Sequence, residues 1–217
     1  MTPVPASFLL RVAYPCRYLK KMPDEGDRLF DLPETYRVPF LGGMDRKQPF
    51  ADVRLAWNEL GIGLQVEVTG KEQELKGDAT RPRSSDGVTV WIDTRDARTS
   101  HRASRYCLQF HLLPTGGGPE SDQPGLVQAK INRALQDAPH VPAGAVPFRV
   151  QHRKSGYLLE AFFSAPVLSG YDPELNRRLG FFYAVRDAEL GEQLLSLAGE
   201  FPYWEDPSLW SVLELQK

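Results

Sequence analysis

The stretch that decides the fold is Val53-Arg54-Leu55-Ala56-Trp57-Asn58-Glu59-Leu60-Gly61-Ile62-Gly63-Leu64-Gln65-Val66-Glu67-Val68. Large apolar residues take alternate positions on both sides of its centre. A period of two places one set of side chains on each face of an extended strand. Asn58 to Gly61, between the two runs, are typical of a tight turn. The stretch therefore predicts a β-hairpin with one apolar face.

The same alternation continues along the chain. It predicts strands near residues 88–92, 106–112, 148–150, 157–163, 179–185 and 210–215, with one more candidate at 8–13. Many short strands without intervening helices predict an all-β protein, here an antiparallel, jelly-roll-like β-sandwich of about 8–10 strands. Weaker helical patterns at 127–135 and 187–197 add one or two short helices to this prediction.

Three long irregular segments, 22–48, 71–85 and 115–145, separate the strands. Loops of this length in a compact domain are usually functional or disordered. We expect residues 36–217 to form the sandwich domain. Residues 1–35 are expected to be an N-terminal extension that either adds an edge strand or docks on a partner.

Composition excludes several classes of function. The net charge of −2 and the interspersed acidic and basic residues do not form a nucleic-acid footprint. No apolar run reaches the length of a membrane span or a signal peptide. The sequence therefore predicts neither a nucleic-acid nor a membrane partner. It also predicts a cytoplasmic protein as the chain stands, although a secreted protein that had lost its leader would look the same.

Reactive groups are few. Cys16 and Cys107 are expected to be buried free thiols, with a single bridge between them as the unsupported alternative. The four histidines lack zinc spacing, and no nucleophile or nucleotide motif is present. A non-enzyme is therefore expected. A hydrolase would need two carboxylates across one cleft, and the internal Glu160 and Asp187 leave that alternative open as the weakest one.

The closing segment carries the strongest functional signal. Trp204 lies in a loop of turn-forming residues, and Trp210 begins the last predicted strand. The C–H face of a pyranose stacks on an aromatic plane, and its hydroxyls bind planar polar groups. Trp204, with Glu205 and Asp206 beside it, fits such a site. The alternative is that Trp204 packs over one end of the sandwich, as Trp57 is expected to pack in the core.

Five segments, taken in order, resemble the carbohydrate-binding modules of family 9 and their DOMON-like relatives. The resemblance covers roughly residues 36–217 and implies a β-sandwich of that type, with binding as its activity. The matching segments are Ala56-Trp57-Asn58 with Leu64 to Gly70, Asp86 to Asp93, Gly156 to Ala161, Gly180 to Asp187, and Trp204 to Ser208 with Leu213-Glu214-Leu215.

One departure from the family pattern changes the expected site. In sugar-binding members, a second tryptophan precedes the strand that matches residues 86–93 and faces the loop tryptophan. Here that position holds Thr80-Arg81-Pro82-Arg83-Ser84-Ser85. We therefore expect the ligand-binding residues to be Trp204, Glu205, Asp206, Arg81, Arg83 and Trp91. A structural or protein-interaction module that has lost sugar binding is the alternative, and the sequence names no protein partner for it.

Calcium is the one metal that the resemblance brings in, because some family members carry it. Acidic oxygens near strand ends come from Asp78, Asp86, Asp93 and Asp96. No EF-hand spacing is present, and such aspartates usually form turns. A structural calcium thus stays the less favoured expectation, and no other cofactor is predicted. Haem is not expected, since the three methionines lie outside the matching segments.

Overall fold

A computed structural model describes residues 12–24, 26–45, 47–196 and 201–217. Its strands are β1 (Ala13–Tyr18), β2 (Ala51–Asn58), β3 (Gly61–Thr69), β4 (Gly87–Asp93), β5 (Cys107–Gly117), β6 (Gln123–Ala129), β7 (Phe148–Arg153), β8 (Gly156–Ser164), β9 (Arg178–Asp187), β10 (Gly191–Leu194) and β11 (Ser211–Gln216). Within these ranges the helices are short 3-10 turns at Glu34–Tyr36, Leu41–Asp45, Pro82–Ser84 and Pro207–Leu209. The all-β prediction is confirmed, with more strands than expected.

The strands form one large sheet in the order β6-β5-β4-β9-β11-β1-β2-β3-β8-β7, and β10 pairs with β9 off this path. All pairs are antiparallel except those of β1 with β11 and with β2. The end strands β6 and β7 lie near each other, so the sheet is nearly closed. That this sheet folds as a jelly-roll-like β-sandwich stays a prediction.

The main core lies inside this sheet. Val88, Val90 and Ile92 of β4 turn the same face inward and are at most 1% exposed. Across the interior, Phe110 of β5 packs on Phe163 of β8 with ring centroids 5.1 Å apart. Burying an apolar side chain of this size contributes about 1.5–3 kcal/mol. Alternation in the sequence thus becomes one apolar interior shared by distant strands.

The hairpin predicted at residues 53–68 is present as β2 and β3. Its register pairs Val53 with Val66 and Trp57 with Ile62. Trp57 is buried in the core, and its Nε1 donates a hydrogen bond to the backbone oxygen of Gln216 at 3.1 Å. The packing role predicted for Trp57 is therefore confirmed.

β1 does not lie at an edge of the sheet. It pairs in parallel with β11 through Ala13 to Arg17 and with β2 at Arg17 and Tyr18. Its Tyr14 and Cys16 are each 1% exposed and belong to the main core. The edge strand expected within residues 1–35 is therefore wrong. β1 lies in the middle of the sheet, between β11 from the C-terminal end of the chain and β2. Residues 8–11 of the predicted N-terminal strand lie outside the described residues.

The segment that follows β1 covers the outer face of β2, β3 and β8. Its apolar residues form a second, smaller core with two side chains of the sheet, comprising Met22, Leu29, Phe30, Leu32, Ala56 and Phe162. The buried Glu160 and Gln65 side chains beneath it accept hydrogen bonds from this segment. Arg28 and the Leu29 N–H donate to Glu160, and the Leu32 N–H donates to Gln65 Oε1 at 3.0 Å. This outer face is sealed by the protein itself.

Both predicted helices are wrong. β5 extends to Gly117 and turns back into β6, so that His111 pairs with Val127. β10 is the return strand of a hairpin with β9, and its turn is held by Asp187 Oδ1, which accepts from the N–H groups of Glu189 and Leu190. Strand pairing satisfies these backbone groups, and tertiary context outweighs a weak helical pattern. Residues 197–200 are not described.

Two sequence-based expectations concern covalent and membrane features. Cys16 and Cys107 are both buried free thiols, so the bridge between them does not form. Burial raises the pKa of the Cys107 thiol to about 12, which keeps it protonated and unreactive.

In the part of the chain that the structure describes, no helix is both long and apolar enough to cross a bilayer.

Candidate functional site

The outer face of β4, β5 and β9 carries an unusual set of buried polar side chains. Register places Trp91 opposite Gln109, and Thr89 opposite His111. Because neighbouring positions alternate between faces, these four point away from the side on which Val90 and Phe110 fill the core. Trp91, Gln109 and His111 are each 1% exposed.

A pocket of about 230 Å³ opens over these residues, and it is lined by Arg83, Trp91, Gln109, His111, Arg186 and Trp204. Trp91, Gln109 and His111 are its buried members. Exposed Arg83, in the 3-10 helix Pro82–Ser84, and the half-buried Trp204 and Arg186 form its rim. Residues from the Pro82–Ser84 helix, β4, β5, β9 and the loop before β11 thus meet around one concavity.

Aromatic packing fixes Trp204 at this rim. The buried Tyr203 ring stacks on Phe182 with centroids 4.5 Å apart. It meets Trp91 and Trp204 edge-on, at 5.5 Å and 5.4 Å. Trp210 Nε1 donates to the backbone oxygen of Tyr203 at 2.7 Å and anchors the loop from behind. Trp204 is therefore presented by a rigid aromatic support, whereas Trp210 is part of the fold.

Two polar atoms of the pocket lack partners. Trp91 Nε1 and Gln109 Oε1 are buried and make no hydrogen bond with the described residues. An unpaired buried donor or acceptor typically costs about 1–3 kcal/mol, so native structures hold few of them. Both atoms belong to residues that line one pocket, and the hydroxyl groups of a ligand that reached them would satisfy both.

His111 is neutral in this setting. Its Nε2 lies 3.1 Å from Gln109 Nε2, and its Nδ1 lies 2.8 Å from Thr89 Oγ1. Burial, followed by the nearby charges of Arg83 and Arg186, lowers the pKa of His111 to about 4. Rotating the Gln109 amide would exchange its oxygen and nitrogen, so one polar atom of that amide lacks a partner in either orientation.

The two arginines at the rim differ in their partners. Arg186 Nε donates to Glu192 Oε1 at 2.7 Å, and its Nη2 donates to Tyr203 OH at 3.1 Å. Arg83 is exposed and makes no hydrogen bond or ion pair with any residue that the structure describes. The pocket lining therefore carries one positive charge without an acidic partner.

The structure brings together three of the predicted site residues, Trp91, Arg83 and Trp204. Arg81 is exposed in the same turn but does not line the pocket. Contact of Trp91, Arg83 and Trp204 with a ligand stays a prediction.

The other two predicted residues serve the loop around Trp204. Glu205 accepts from Asn132 Nδ2 at 2.7 Å and pairs with Arg133. Asp206 caps the next 3-10 helix by accepting from the Ser208 N–H at 2.9 Å, and it also binds His101. Neither carboxylate lines the pocket, because both are directed to neighbouring protein groups.

Sequence reasoning missed Gln109, His111 and Arg186. The first two were visible as polar residues at alternate positions of a predicted strand, on the face opposite its core residues. Recognising them required the knowledge that β5 lies beside β4 in register with Trp91. Arg186 belongs to β9, on the other side of β4, and only strand order shows that proximity.

The four aspartates considered for calcium have other partners. Asp93 accepts from the N–H groups of Arg95 and Ala97, and Asp78 accepts from the Thr80 N–H. Asp86 Oδ2 lies 3.2 Å from the buried Lys71 Nζ, which also meets Asp187 Oδ1 at 2.9 Å. Asp96 pairs with Arg98 and Arg178.

No group of three or more His, Cys, Asp or Glu side chains is placed to hold a metal ion within the described ranges. Calcium binding stays an untested prediction. The two carboxylates considered for hydrolysis, Glu160 and Asp187, hold Arg28 and Lys71. Neither of them lines the pocket.

Comparisons with known proteins identify the fold. Neither a family model nor a curated protein matches the sequence. Among solved structures, a carbohydrate binding module family 9 from Caldicellulosiruptor kristjanssonii in complex with cellotriose is similar, with a TM-score of 0.61, 14% identity and 94% of each chain covered. The same organism's family 9 module in complex with glucose gives 0.64 and 13% identity, covering 93% of this chain and 94% of that one.

A candidate carbohydrate-binding protein from Bacteroides uniformis gives a TM-score of 0.53 at 14% identity, with 79% of this chain and 80% of that chain covered. At such identities the likeness shows a shared fold alone.

Proposed function

We propose that this protein is a non-catalytic carbohydrate-binding domain whose ligand occupies the pocket beside Trp204. The observation that carries the proposal is the pairing of a half-buried indole ring with the unpartnered Trp91 Nε1 and Gln109 Oε1 in one concavity. An aromatic plane beside a donor and an acceptor suits the two kinds of surface that a sugar presents.

The recognition chemistry divides among three parts of the pocket. The Trp204 ring stacks on the C–H face of one sugar ring. Hydroxyl groups of that ring bind the open atoms of Trp91 and Gln109, while Arg83 closes the side where an aromatic was expected. A volume of about 230 Å³ is small for a ligand site, so the ligand is one sugar unit or the end of a chain.

The comparisons support this proposal through the fold. Two of the similar solved structures are family 9 modules in complex with cellotriose and glucose. The motif resemblance points to the same family and to its DOMON-like relatives. We propose on this basis that the nearly closed sheet is a family 9-type β-sandwich.

Binding rather than hydrolysis is the activity proposed. Glycoside hydrolysis usually needs two carboxylates about 5–10 Å apart across the scissile bond. The six residues that line the pocket include no carboxylate. The pocket can therefore hold a sugar but lacks the usual groups to protonate or attack it.

A structural or protein-interaction module is the second candidate function. It is favoured by one observation: the turn before β4 contributes Arg83 to the pocket lining, whereas the family pattern has a second tryptophan before that strand. In that case Trp204 serves only to cover Tyr203, against which its ring packs at 5.4 Å.

The two candidates are separated by Trp204→Ala on a glycan array, followed by calorimetric titration of the strongest ligand. We expect the variant to bind about tenfold more weakly, since stacking contributes on the order of 1.4 kcal/mol. Phe148→Ala is the matched control, because Phe148 is also a partly buried aromatic packed on the core but lies on β7 away from the pocket. Unchanged binding by the Trp204 variant, or no glycan bound by the wild-type protein, would overturn the proposal.

A further inference from the structure

We infer that the ligand is an acidic sugar, in which a carboxylate on the pyranose ring binds Arg83. This inference rests on the proposed function, because it takes the pocket beside Trp204 as a sugar site. It adds the chemical class of the ligand, a uronate, which the fold does not supply.

The first support is the charge of the lining. Arg83 and Arg186 both line the pocket, and no acidic residue does. Glu192 lies against Arg186 with an Oε1 to Nε distance of 2.7 Å, which offsets one of the two charges. Arg83 has no acidic partner among the residues described. A neutral sugar would leave this charge unmatched, whereas one carboxylate balances it.

The charges of Arg83 and Arg186 also act on the buried His111 in the pocket lining. His111 is 1% exposed, and after burial itself the charges of Arg83 and Arg186 are the causes that lower the pKa of its imidazole. A field that disfavours a cation at His111 favours an anion in the space above it. Low-dielectric surroundings strengthen such an interaction relative to water.

The single uncompensated positive charge of Arg83 equals the negative charge of one carboxylate. A carboxylate carries one negative charge and is planar, and it accepts two parallel hydrogen bonds from one guanidinium. A phosphate monoester carries about −1.5 to −2 at neutral pH, more than the single uncompensated charge. The lining therefore favours a uronate over a sugar phosphate.

The two groups that this ligand would contact, the Trp204 ring and the Arg83 guanidinium, line the same pocket. Trp204 comes from the loop before β11, while Arg83 comes from the turn before β4. With the sugar face on the indole, a carboxylate at the ring edge reaches the guanidinium, and the ring hydroxyls face Trp91 and Gln109. Arg186 has its Nε and Nη2 engaged, and its Nη1 remains as a second donor.

The test compares matched sugars that differ only in whether C6 is a hydroxymethyl or a carboxylate carbon. Calorimetric titration and the glycan array would use the pairs glucose and glucuronate, galactose and galacturonate, and mannose and mannuronate, as monosaccharides and as oligosaccharides. Glucose 6-phosphate and sodium acetate complete the set. We expect at least one uronate to bind tenfold or more tightly than its neutral partner at low salt. That preference should shrink as salt screens the charge.

Arg83→Gln identifies the residue responsible. We expect this variant to lose the preference for the uronate, so that the uronate and its neutral partner bind with similar affinity. Arg81→Gln is the matched control, because Arg81 is an exposed arginine of the same turn that does not line the pocket. It removes the same charge from the protein and should keep the preference. Equal losses in the two variants would remove Arg83 from the assignment.

The outcomes separate this inference from the proposed function. If neutral sugars bind as tightly as their uronates, the acidic-sugar inference is wrong and the carbohydrate-binding proposal stands. If glucose 6-phosphate binds more tightly than any uronate, the choice of a carboxylate is wrong. If acetate binds as tightly as the uronates, the sugar ring contributes nothing and the inference fails. If no sugar of either class binds, the proposed function falls as well.

Discussion

Gln65 and Gln109 show how a single residue type can serve the fold or a site. Both are buried on outer faces of the same sheet, at 4% and 1% exposure. Gln65 Oε1 accepts from the Leu32 N–H and from Arg28, because a chain segment lies over it. Gln109 Oε1 has no partner in the described chain and faces a pocket instead. The difference lies in what covers each residue.

His111 yields a prediction about pH and stability. Its folded-state pKa is lowered from 6.5 to about 4, so the unfolded chain takes up a proton at a pH where the folded protein does not. The contribution of His111 to stability is therefore complete above pH 6.5 and is lost as the pH falls toward 4. A shift of this size corresponds to at most about 3 kcal/mol.

Urea denaturation of the wild-type protein and of His111→Gln at several pH values would test this. Carboxylates titrate in both proteins, so their effect cancels in the difference between the two free energies of unfolding. We expect the free energy of unfolding of the wild-type protein to fall relative to that of the variant as the pH drops from 6.5 to 4. Above pH 7 the difference should not change with pH. A difference that is constant over the whole range would contradict the lowered pKa.

At the scale of elements, strongly alternating segments and short ambiguous ones behaved differently. The β2–β3 hairpin follows its sequence pattern closely, because apolar alternation and turn residues agree. Residues 127–135 and 187–197 had only weak helical patterns, and pairing with β5 and β9 determined their structure where it is described. Partner strands, rather than local preference, decide such segments.

The turn between β2 and β3 gives a prediction at this scale. Gly61 has φ +153°, and a Cβ there would lie 2.2 Å from the backbone oxygen of Phe163. Gly70 also has positive φ, +87°, but a Cβ there would meet nothing within 4 Å. Gly61→Ala combines strain with a clash that backbone cannot relieve, whereas Gly70→Ala adds strain alone.

We expect Gly70→Ala to lower the free energy of unfolding by about 1 kcal/mol and Gly61→Ala by more than about 2 kcal/mol. Chemical denaturation of both variants measures this order directly. Equal effects would mean that β8 moves aside at Phe163, and the packing between the hairpin and β8 would then be looser than described.

At the scale of the whole molecule, the sheet depends on strands from both ends of the chain. β1 lies between β11 and β2, and the segment after it seals one outer face. The domain division at residue 35 remains a prediction from the sequence. Strand continuity leads us to expect that residues 36–217 alone lack a native sheet.

A protein beginning at residue 36 would test this division. Without β1, the parallel neighbours β11 and β2 lose their shared partner, and Glu160 loses Arg28. We expect poor dispersion in its amide NMR spectrum and no cooperative thermal unfolding, with recovery when a peptide of residues 12–35 is added. A well-dispersed spectrum from residues 36–217 alone would support the original division.

The sequence by itself determined the all-β class and the strongly alternating strands with their buried faces, because a period of two is a local property of the chain. It also indicated Trp204, Arg83 and Trp91 as candidate site residues, since a loop aromatic, an arginine before a strand and a strand position can be recognised from the order of residues. Only the tertiary structure decided that these three meet, that Gln109, His111 and Arg186 join them, and that Glu205 and Asp206 do not. The physical reason is that strand order and the covering of each outer face depend on contacts between residues far apart in sequence. One outer face is covered by apolar side chains of residues 19–24 and 26–36, and the other has a pocket.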